Sequence, residues 1–437
     1  MSDNYDVVII GGGPAGSAAG ALLAESGHSV LILERERFPR YHIGESLLPF
    51  TYYPLQRLGL IDRMRQSAFV KKYSVQFVSP SGKASQPFYF HTRYDGDVAQ
   101  TWQVLRSEFD QMILDHAREA GAEAREGVTV TGLCEEQGRV VGVRICGEDG
   151  VTQEIRATMT LDCSGRESFS AVQQGWRRKD PLLNKVAVWT YYRSAKRDEG
   201  IDAGGTTVAF VPEKGWFWYI PQHNNMTSVG VVAEGKYLSR GGVKSPELIF
   251  QREVGQNVWI QEHLASGEQV GPYRITSEYS FHSQHCGRDG LLLLGDAFCF
   301  LDPVFSSGLM LALKSGVMAA DAVHEALKDG DLSAGRFAPY AATLRKGIEN
   351  MRCLVYAFYD PNFNFRTLTD KYPELAGDIT DCLSGDVNKD FTRLFSAVRE
   401  FASVPEPLPL GEPLVGELSR GVALSNGGPV PERAMVT

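Results

Sequence analysis

Tyr5-Asp6-Val7-Val8-Ile9-Ile10-Gly11-Gly12-Gly13-Pro14-Ala15-Gly16, with the Ala- and Leu-rich run that follows to Glu25, decides the fold class. Val7 to Ile10 is a short apolar run of the kind buried on both faces in the middle of a parallel sheet. Residues 15–25 are good helix formers, and Gly27 stands where a helix C′ glycine belongs. Ser29 to Leu33 then reads as a second parallel strand, which completes one right-handed strand–helix–strand unit. The glycines satisfy G-x-G-x-x-G, a weak pattern in isolation. Here it follows a strand, opens a helix and leads to acidic Glu34 at the end of the next strand, which is the context a dinucleotide site requires. Gly11 permits the tight turn, Gly13 lets the backbone approach a pyrophosphate, and Gly16 lets the helix pack on the sheet. Pro14 and Ala15 begin the helix whose N-terminus stabilises the phosphate charge. Glu34 is placed to accept hydrogen bonds from a ribose, which favours FAD or NAD over NADP and leaves the first two unseparated.

Working outward, the chain changes character over about 75–94 and 186–280, where apolar, aromatic and polar residues alternate between Gly and Pro breaks, as in an antiparallel sheet. A helix over about 107–120 and strand-like segments up to Cys163 lie between them. A buried-strand run returns at Leu291, a helix follows over about 308–328, and helical patterning continues from 336 to about 402. The expected fold is α/β: a Rossmann-like domain in three pieces (1–70, 100–170 and 285–330) with an interleaved antiparallel β-sheet domain (71–99 and 171–284). A C-terminal helical region (331–403) and a flexible, proline- and glycine-rich tail (404–437) complete it. A chain of 437 residues exceeds the usual single core, in keeping with more than one domain.

The net charge of −9 argues against unaided nucleic-acid binding. The seven cysteines are scattered and include no Cys-x-x-Cys pair, so neither a disulfide framework nor a metal site is expected, and a reducing cytoplasm fits. No leader and no apolar run of membrane-spanning length is visible, so no membrane partner is expected.

Three further segments resolve the cofactor by resemblance. Leu291-Leu292-Leu293-Leu294-Gly295-Asp296-Ala297, Leu161-Asp162-Cys163-Ser164-Gly165 and Leu105-Arg106-x-x-Phe109-Asp110 resemble, in the expected order, segments of the para-hydroxybenzoate-hydroxylase type of flavoprotein. The resemblance implies FAD, with Asp296 on its ribityl chain and Arg106 near the cofactor. Gly44-Glu45-Ser46-Leu47-Leu48-Pro49 is similar to a segment beside the flavin ring, which places Ser46 and its neighbours there.

Two more motifs narrow the class. Gly215-Trp216-Phe217-Trp218-Tyr219-Ile220-Pro221 contains Trp-x-Trp-x-Ile-Pro, and Phe300-Leu301-Asp302-Pro303-Val304-Phe305-Ser306-Ser307-Gly308 resembles Phe-x-x-Pro-x-x-Ser-x-Gly. Both resemble flavin-dependent halogenases, over about residues 1–330. In that family reduced FAD and oxygen supply the oxidising power that turns halide into hypohalous acid, which then travels to a separate substrate pocket. The resemblance implies that Trp216 and Trp218 form a barrier between flavin and substrate. It implies that the backbone amides of Ser307 and Gly308 line a site for chloride or bromide, with Pro303 and Gly308 beside the flavin.

The family's essential lysine precedes a phenylalanine by five residues on the first inserted strand. Counting back from Phe77 gives Lys72; strand alternation puts Lys71 on the opposite face, as the fallback. Tryptophan halogenases carry a glutamate where this chain has Phe305, which points to a more electron-rich ring, a phenol or a pyrrole, free or tethered to a carrier protein. A separate flavin reductase is the implied partner. The competing readings are an aromatic monooxygenase, a geranylgeranyl-reductase-like enzyme and a non-catalytic FAD-binding partner.

Overall fold

The strand Asn4–Ile10 pairs in parallel with Val30–Glu34 on one side and Thr152–Asp162 on the other. Leu291–Leu293 and Glu123–Glu126 extend the same parallel sheet at either end. Val7, Val8 and Ile9 are wholly buried, as a strand covered on both faces requires. The helix Pro14–Glu25 forms the first crossover and packs on the helix Gly308–Asp329. Their approach is close: a Cβ on Gly316 would stand 2.6 Å from the Ala15 carbonyl oxygen. The computed structural model describes residues 4–213, 215–277, 280–409 and 411–415.

A second sheet runs in the order Glu268–Ser277, Lys185–Arg193, Met226–Glu234, Gly215–Pro221, Thr206–Val211, Ser74–Val78, Phe88–Tyr89. It is antiparallel except where Thr206–Val211 meets Ser74–Val78. Alternation along these strands makes two apolar faces. Phe217, Tyr219, Val229 and Val231 pack under the helices Pro246–Val254 and Val258–Leu264, whereas Trp189, Val208, Trp216, Trp218 and Ile220 face the first domain and the helix Ala338–Tyr359.

Those two helices interrupt the stretch 186–280, which was expected to be antiparallel sheet with Gly and Pro breaks. Ser245 accepts from the Leu248 N–H with Pro246 at the first helical position, and Asn257 accepts from the Ile260 N–H. Both are helix-start signals embedded in a stretch that otherwise alternates.

Beyond 336 the chain is helical, with Ala338–Tyr359, Phe365–Lys371, Ala376–Ser384 and Thr392–Val398 closing over Leu354, Leu368, Phe391 and Leu394. The first part of the expected flexible tail is instead docked. Gly411 donates its N–H to the Gln284 carbonyl at 3.1 Å, Leu414 donates to Gly287 at 3.0 Å, and Leu408 and Leu414 pack on the main core. The apolar residues among the prolines give that segment a surface to bury, which composition alone underweights. Residues 416–437 lie outside the described residues. No helix among the described residues is long and apolar enough to cross a membrane.

Candidate active site

The glycine turn opens onto a cavity of about 990 Å³ between the two sheets. Gly11 holds φ at +103°, and a Cβ on Gly16 would lie 2.0 Å from the Gly11 carbonyl oxygen, so both positions are closed to larger residues. A Cβ on Gly13 would meet only the Arg40 guanidinium, at 3.5 Å, so the cavity side of Gly13 is open to a ligand. Pro14 and Ala15 line the cavity at the start of the helix. The Glu34 carboxylate accepts the Gly12 N–H at 2.9 Å and the Glu36 N–H at 2.9 Å, bracing the turn while retaining lone pairs for a ribose.

Asp296 also lines the cavity, and no donor among the described residues reaches its carboxylate. Burial lifts its pKa to about 6, against the pull of Arg166 and Arg106. A half-buried acid left without a donor on the wall of the cavity, beside an open phosphate turn, is what a polar, extended cofactor such as FAD satisfies. Arg106 lines the same cavity with its donors already engaged. It holds Asp110 through two bonds of 2.8 Å and the Ile43 carbonyl at 2.7 Å, and so fixes the loop that carries Gly44, Glu45 and Ser46.

Trp216, Trp218 and Ile220 form the wall of the cavity on the second sheet. Gly230 lies opposite Trp218, where a Cβ would stand 2.2 Å from the indole, so the neighbouring strand is cut back to admit the ring. Each indole is anchored through its N–H. Trp218 donates to the Ser228 hydroxyl at 3.0 Å, and Trp216 donates to the Tyr359 hydroxyl at 2.9 Å. Tyr359 in turn donates to the Asp302 carboxylate, 3.0 and 3.1 Å from its two oxygens, and Lys185 stands 4.0 Å above the tyrosine ring. Burial raises the Asp302 pKa to about 6.

Pro303 and the following turn complete the cavity. Ser306 adopts φ +55°, a left-handed conformation uncommon for a residue with a side chain, and Ser307 caps the 22-residue helix that starts at Gly308. No acceptor among the described residues takes up the N–H of Ser307 or Gly308. These amides and the helix dipole give a region of partial positive charge that can hold an anion. Phe305 turns away from the cavity and meets the edge of Phe358 at 5.7 Å.

Lys72 is 1% exposed, and Lys71 beside it is exposed on the opposite face, as strand alternation predicts. The Lys72 ammonium does not line the cavity. It donates to the Ser46 hydroxyl at 2.9 Å and the Leu47 carbonyl at 3.0 Å, and Ser46 meets the Thr206 hydroxyl at 3.0 Å. Ser46 and Thr206 are themselves lining residues, so the lysine stands one hydrogen bond behind the wall. Burial lowers its pKa to about 7, where amine and ammonium coexist near neutrality.

The structure thus gathers the glycine turn, Glu34, Ser46, Arg106, Asp296, the two tryptophans and the Pro303–Gly308 turn around one cavity, with Lys72 just outside it. Sequence reasoning quoted Glu45 and Asp302 inside their motifs and gave them no role, although acids within otherwise apolar runs are a legible signal. Thr206 and Tyr359 carry no such signal, because only the tertiary fold brings them to the site.

A model of the FAD binding domain matches residues 4–341. A 1H-pyrrole-2-carbonyl-[peptidyl-carrier protein] chlorinase of Pseudomonas fluorescens is 32% identical, over 89% of this chain and 90% of the relative. The corresponding brominase of Pseudoalteromonas luteoviolacea is 33% identical, over 75% of this chain and 79% of the relative. Among solved structures, the flavin-dependent brominase Bmp2 superposes with a TM-score of 0.81 at 29% identity, over 91% of this chain and 98% of that one. The myxobacterial chondrochloren halogenase CndH gives 0.75 at 31% identity, over 94% of this chain and 100% of that one. The chain belongs to the FAD-binding family and, within it, to the flavin-dependent halogenases.

Proposed function

We propose that the chain halogenates an electron-rich aromatic ring, a pyrrole or a phenol, delivered on a carrier protein, and that Lys72 directs the halogen to it. When bound, reduced FAD with oxygen supplies the oxidising power for halide. The protein's own residues do the rest. Gly11, Gly13 to Gly16, Glu34, Arg106 and Asp296 hold and orient the cofactor. The Ser307 and Gly308 amides hold chloride or bromide at the helix start. Trp216 and Trp218 keep an organic ring away from the flavin. Hypohalous acid leaves past Ser46 and Thr206 and meets Lys72, whose ammonium donates a hydrogen bond that polarises the O–X bond.

The observation that carries this reading is the Lys72–Ser46 hydrogen bond, which ties a fully buried amine to a residue of the cofactor cavity. Phe305 supports the substrate class. With an aromatic side chain where a carboxylate would assist a less reactive ring, the substrate must itself be activated. The two pyrrolyl-carrier relatives support the carrier-borne form. A separate flavin reductase is the proposed source of reduced FAD, and the seven free thiols favour the cytoplasm.

Carrier-bound pyrrole-2-carbonyl, free pyrrole and free phenol, offered in parallel with a flavin reductase, FAD and bromide, test the assignment. Mass spectrometry is expected to find bromine on the carrier-bound ring. Bromination of the free rings alone would remove the carrier from the assignment, and oxygen in place of bromine would favour a monooxygenase.

A further inference from the structure

Converting the anion of reduced FAD, oxygen and a halide ion into oxidised FAD, hypohalous acid and water consumes two protons. A cofactor that fills its cavity leaves little water to bring them, so the protein has to supply a route. Glu45 sits at the inner end of such a route. Glu45 is 2% exposed and lines the cofactor cavity, and one of its carboxyl oxygens, Oε2, is buried behind that wall without a hydrogen-bond partner.

The other oxygen, Oε1, accepts from the Tyr191 hydroxyl at 2.8 Å. The Tyr191 hydroxyl is 3.2 Å from that of Tyr41, a residue 41% exposed at the surface. Two contacts orient this outer end. Trp189 Nε1 donates to the Tyr41 oxygen at 2.6 Å, and Arg274 holds the Tyr41 ring from 3.7 Å. The Tyr191 hydroxyl lies within hydrogen-bond reach of both neighbours and donates to one at a time, to Glu45 or to Tyr41, so a proton is exchanged along the chain by rotation of that O–H.

We infer that Tyr41, Tyr191 and Glu45 form a proton path from solvent to the flavin cavity, which serves the halogenase chemistry on which this inference rests. A proton enters at the Tyr41 hydroxyl, Tyr41 passes its own to Tyr191, and Tyr191 passes its own to Glu45, which carries it at the cavity wall. Every hydroxyl ends as it began, and no bond other than O–H is made or broken.

The charges around the path agree with its direction. Burial raises the Glu45 pKa, opposed by Ser228, Tyr191 and Gln222 and by the Arg106 charge, so the carboxyl keeps a proton at a pH where surface acids have lost theirs. His42, which sits on the same loop, is held neutral by burial with its pKa lowered to about 3, and so does not compete as carrier. Arg106 is committed to Asp110 and the loop carbonyls.

The test uses FAD-loaded protein, reduced by a light pulse without oxygen or halide, while a pH-indicator dye follows proton uptake. Tyr191→Phe removes the relay hydroxyl and keeps the ring. It is expected to slow uptake about 100-fold, the low end of what a positioned proton donor contributes. Tyr41→Phe, one step nearer solvent, is expected to slow it about tenfold. Added acetate restores the rate in both, the extent of uptake and the FAD Kd stay those of the wild type, and the Tm falls by a few degrees at most in Tyr191→Phe. In FAD-free protein the infrared carboxyl band that disappears in Glu45→Gln should shift in Tyr191→Phe. Wild-type uptake rates in Tyr191→Phe, slow uptake that acetate does not restore, or an unshifted Glu45 band would each overturn the path.

Discussion

The turns that open onto the cofactor cavity and the side chains that brace its wall are built in different ways. In the turns the work is done by backbone over short stretches: the turn at Gly11 to Gly16, and the left-handed residue at Ser306 that starts a helix. In the bracing of the wall it is done by buried side chains brought from distant parts of the chain. Lys72 meets Ser46, which meets Thr206, and Trp216 is held by Tyr359, which is held by Asp302. Backbone sites are fixed by local geometry and tolerate a change of chemistry poorly. Side-chain sites are tuned by burial, which sets Lys72 at a pKa of about 7 and Asp302 at about 6.

Substitutions can break this contrast. The largest effect is expected at Lys72. Lys72→Met should lower halogenation by about 10²- to 10⁴-fold, the range for a lost proton-transfer group, with FAD affinity within about twofold of wild type. Lys71→Met, on the exposed face of the same strand, should leave both within about twofold, since surface changes away from a site are nearly neutral. Product yield and FAD titration read the two kinds of site separately, and a parallel loss of FAD affinity in Lys72→Met would erase the distinction.

Glu34→Leu reverses the pattern. Losing hydrogen bonds to a charged acceptor, worth roughly 1.5–3 kcal/mol, should raise the FAD Kd about 10- to 100-fold, with halogenation recovered at high FAD. Halogenation that stays low at saturating FAD would mean that Glu34 acts on more than binding.

Lys72 also predicts a pH dependence of stability. Its folded pKa lies below the ordinary lysine value, so between about pH 7 and 10.5 the unfolded chain binds more protons than the folded one. Stability should therefore rise with pH across that window, relative to Lys72→Met, by on the order of 1–3 kcal/mol. Denaturant melts of the two proteins at pH 7 and pH 10 measure the difference, and parallel curves would place the amine in a wetter site.

The smallest effect is expected at Tyr359→Phe. It removes one hydrogen-bonded bridge, about 1 kcal/mol, and should lower the Tm by a few degrees. Because the bridge orients Trp216, it should also raise the share of reduced FAD consumed without product. An unchanged share would confine Tyr359 to packing.

The same contrast explains what was legible before the structure. Gly11, Gly13, Gly16 and Glu34 fall within one strand–turn–helix–strand unit, so a linear reading finds them; Asp296 and the Ser307–Gly308 turn lie in short contiguous motifs and came from the family resemblance; the structure gathers them all around one cavity. Lys72 came from the family resemblance, five residues before Phe77, with strand alternation separating it from Lys71. Tyr359 and Tyr191 were not, since nothing local distinguishes them from core aromatics, and their partners lie 57 and 146 residues away. The helices at 246–264 were passed over because period-two alternation dominates the strands on either side, whereas the helix signal there rests on Ser245, Pro246 and Asn257 alone.

Single turnover tests most directly the claim that halide is oxidised on one side of the wall and delivered from the other. Wild type and Lys72→Met, loaded with reduced FAD and bromide, are mixed with oxygen and substrate, and flavin reoxidation and brominated product are measured in the same sample. Expected are equal reoxidation rates, with brominated product from the wild type and none from the variant. Equal product from both, or reoxidation that slows in step with product, would contradict it.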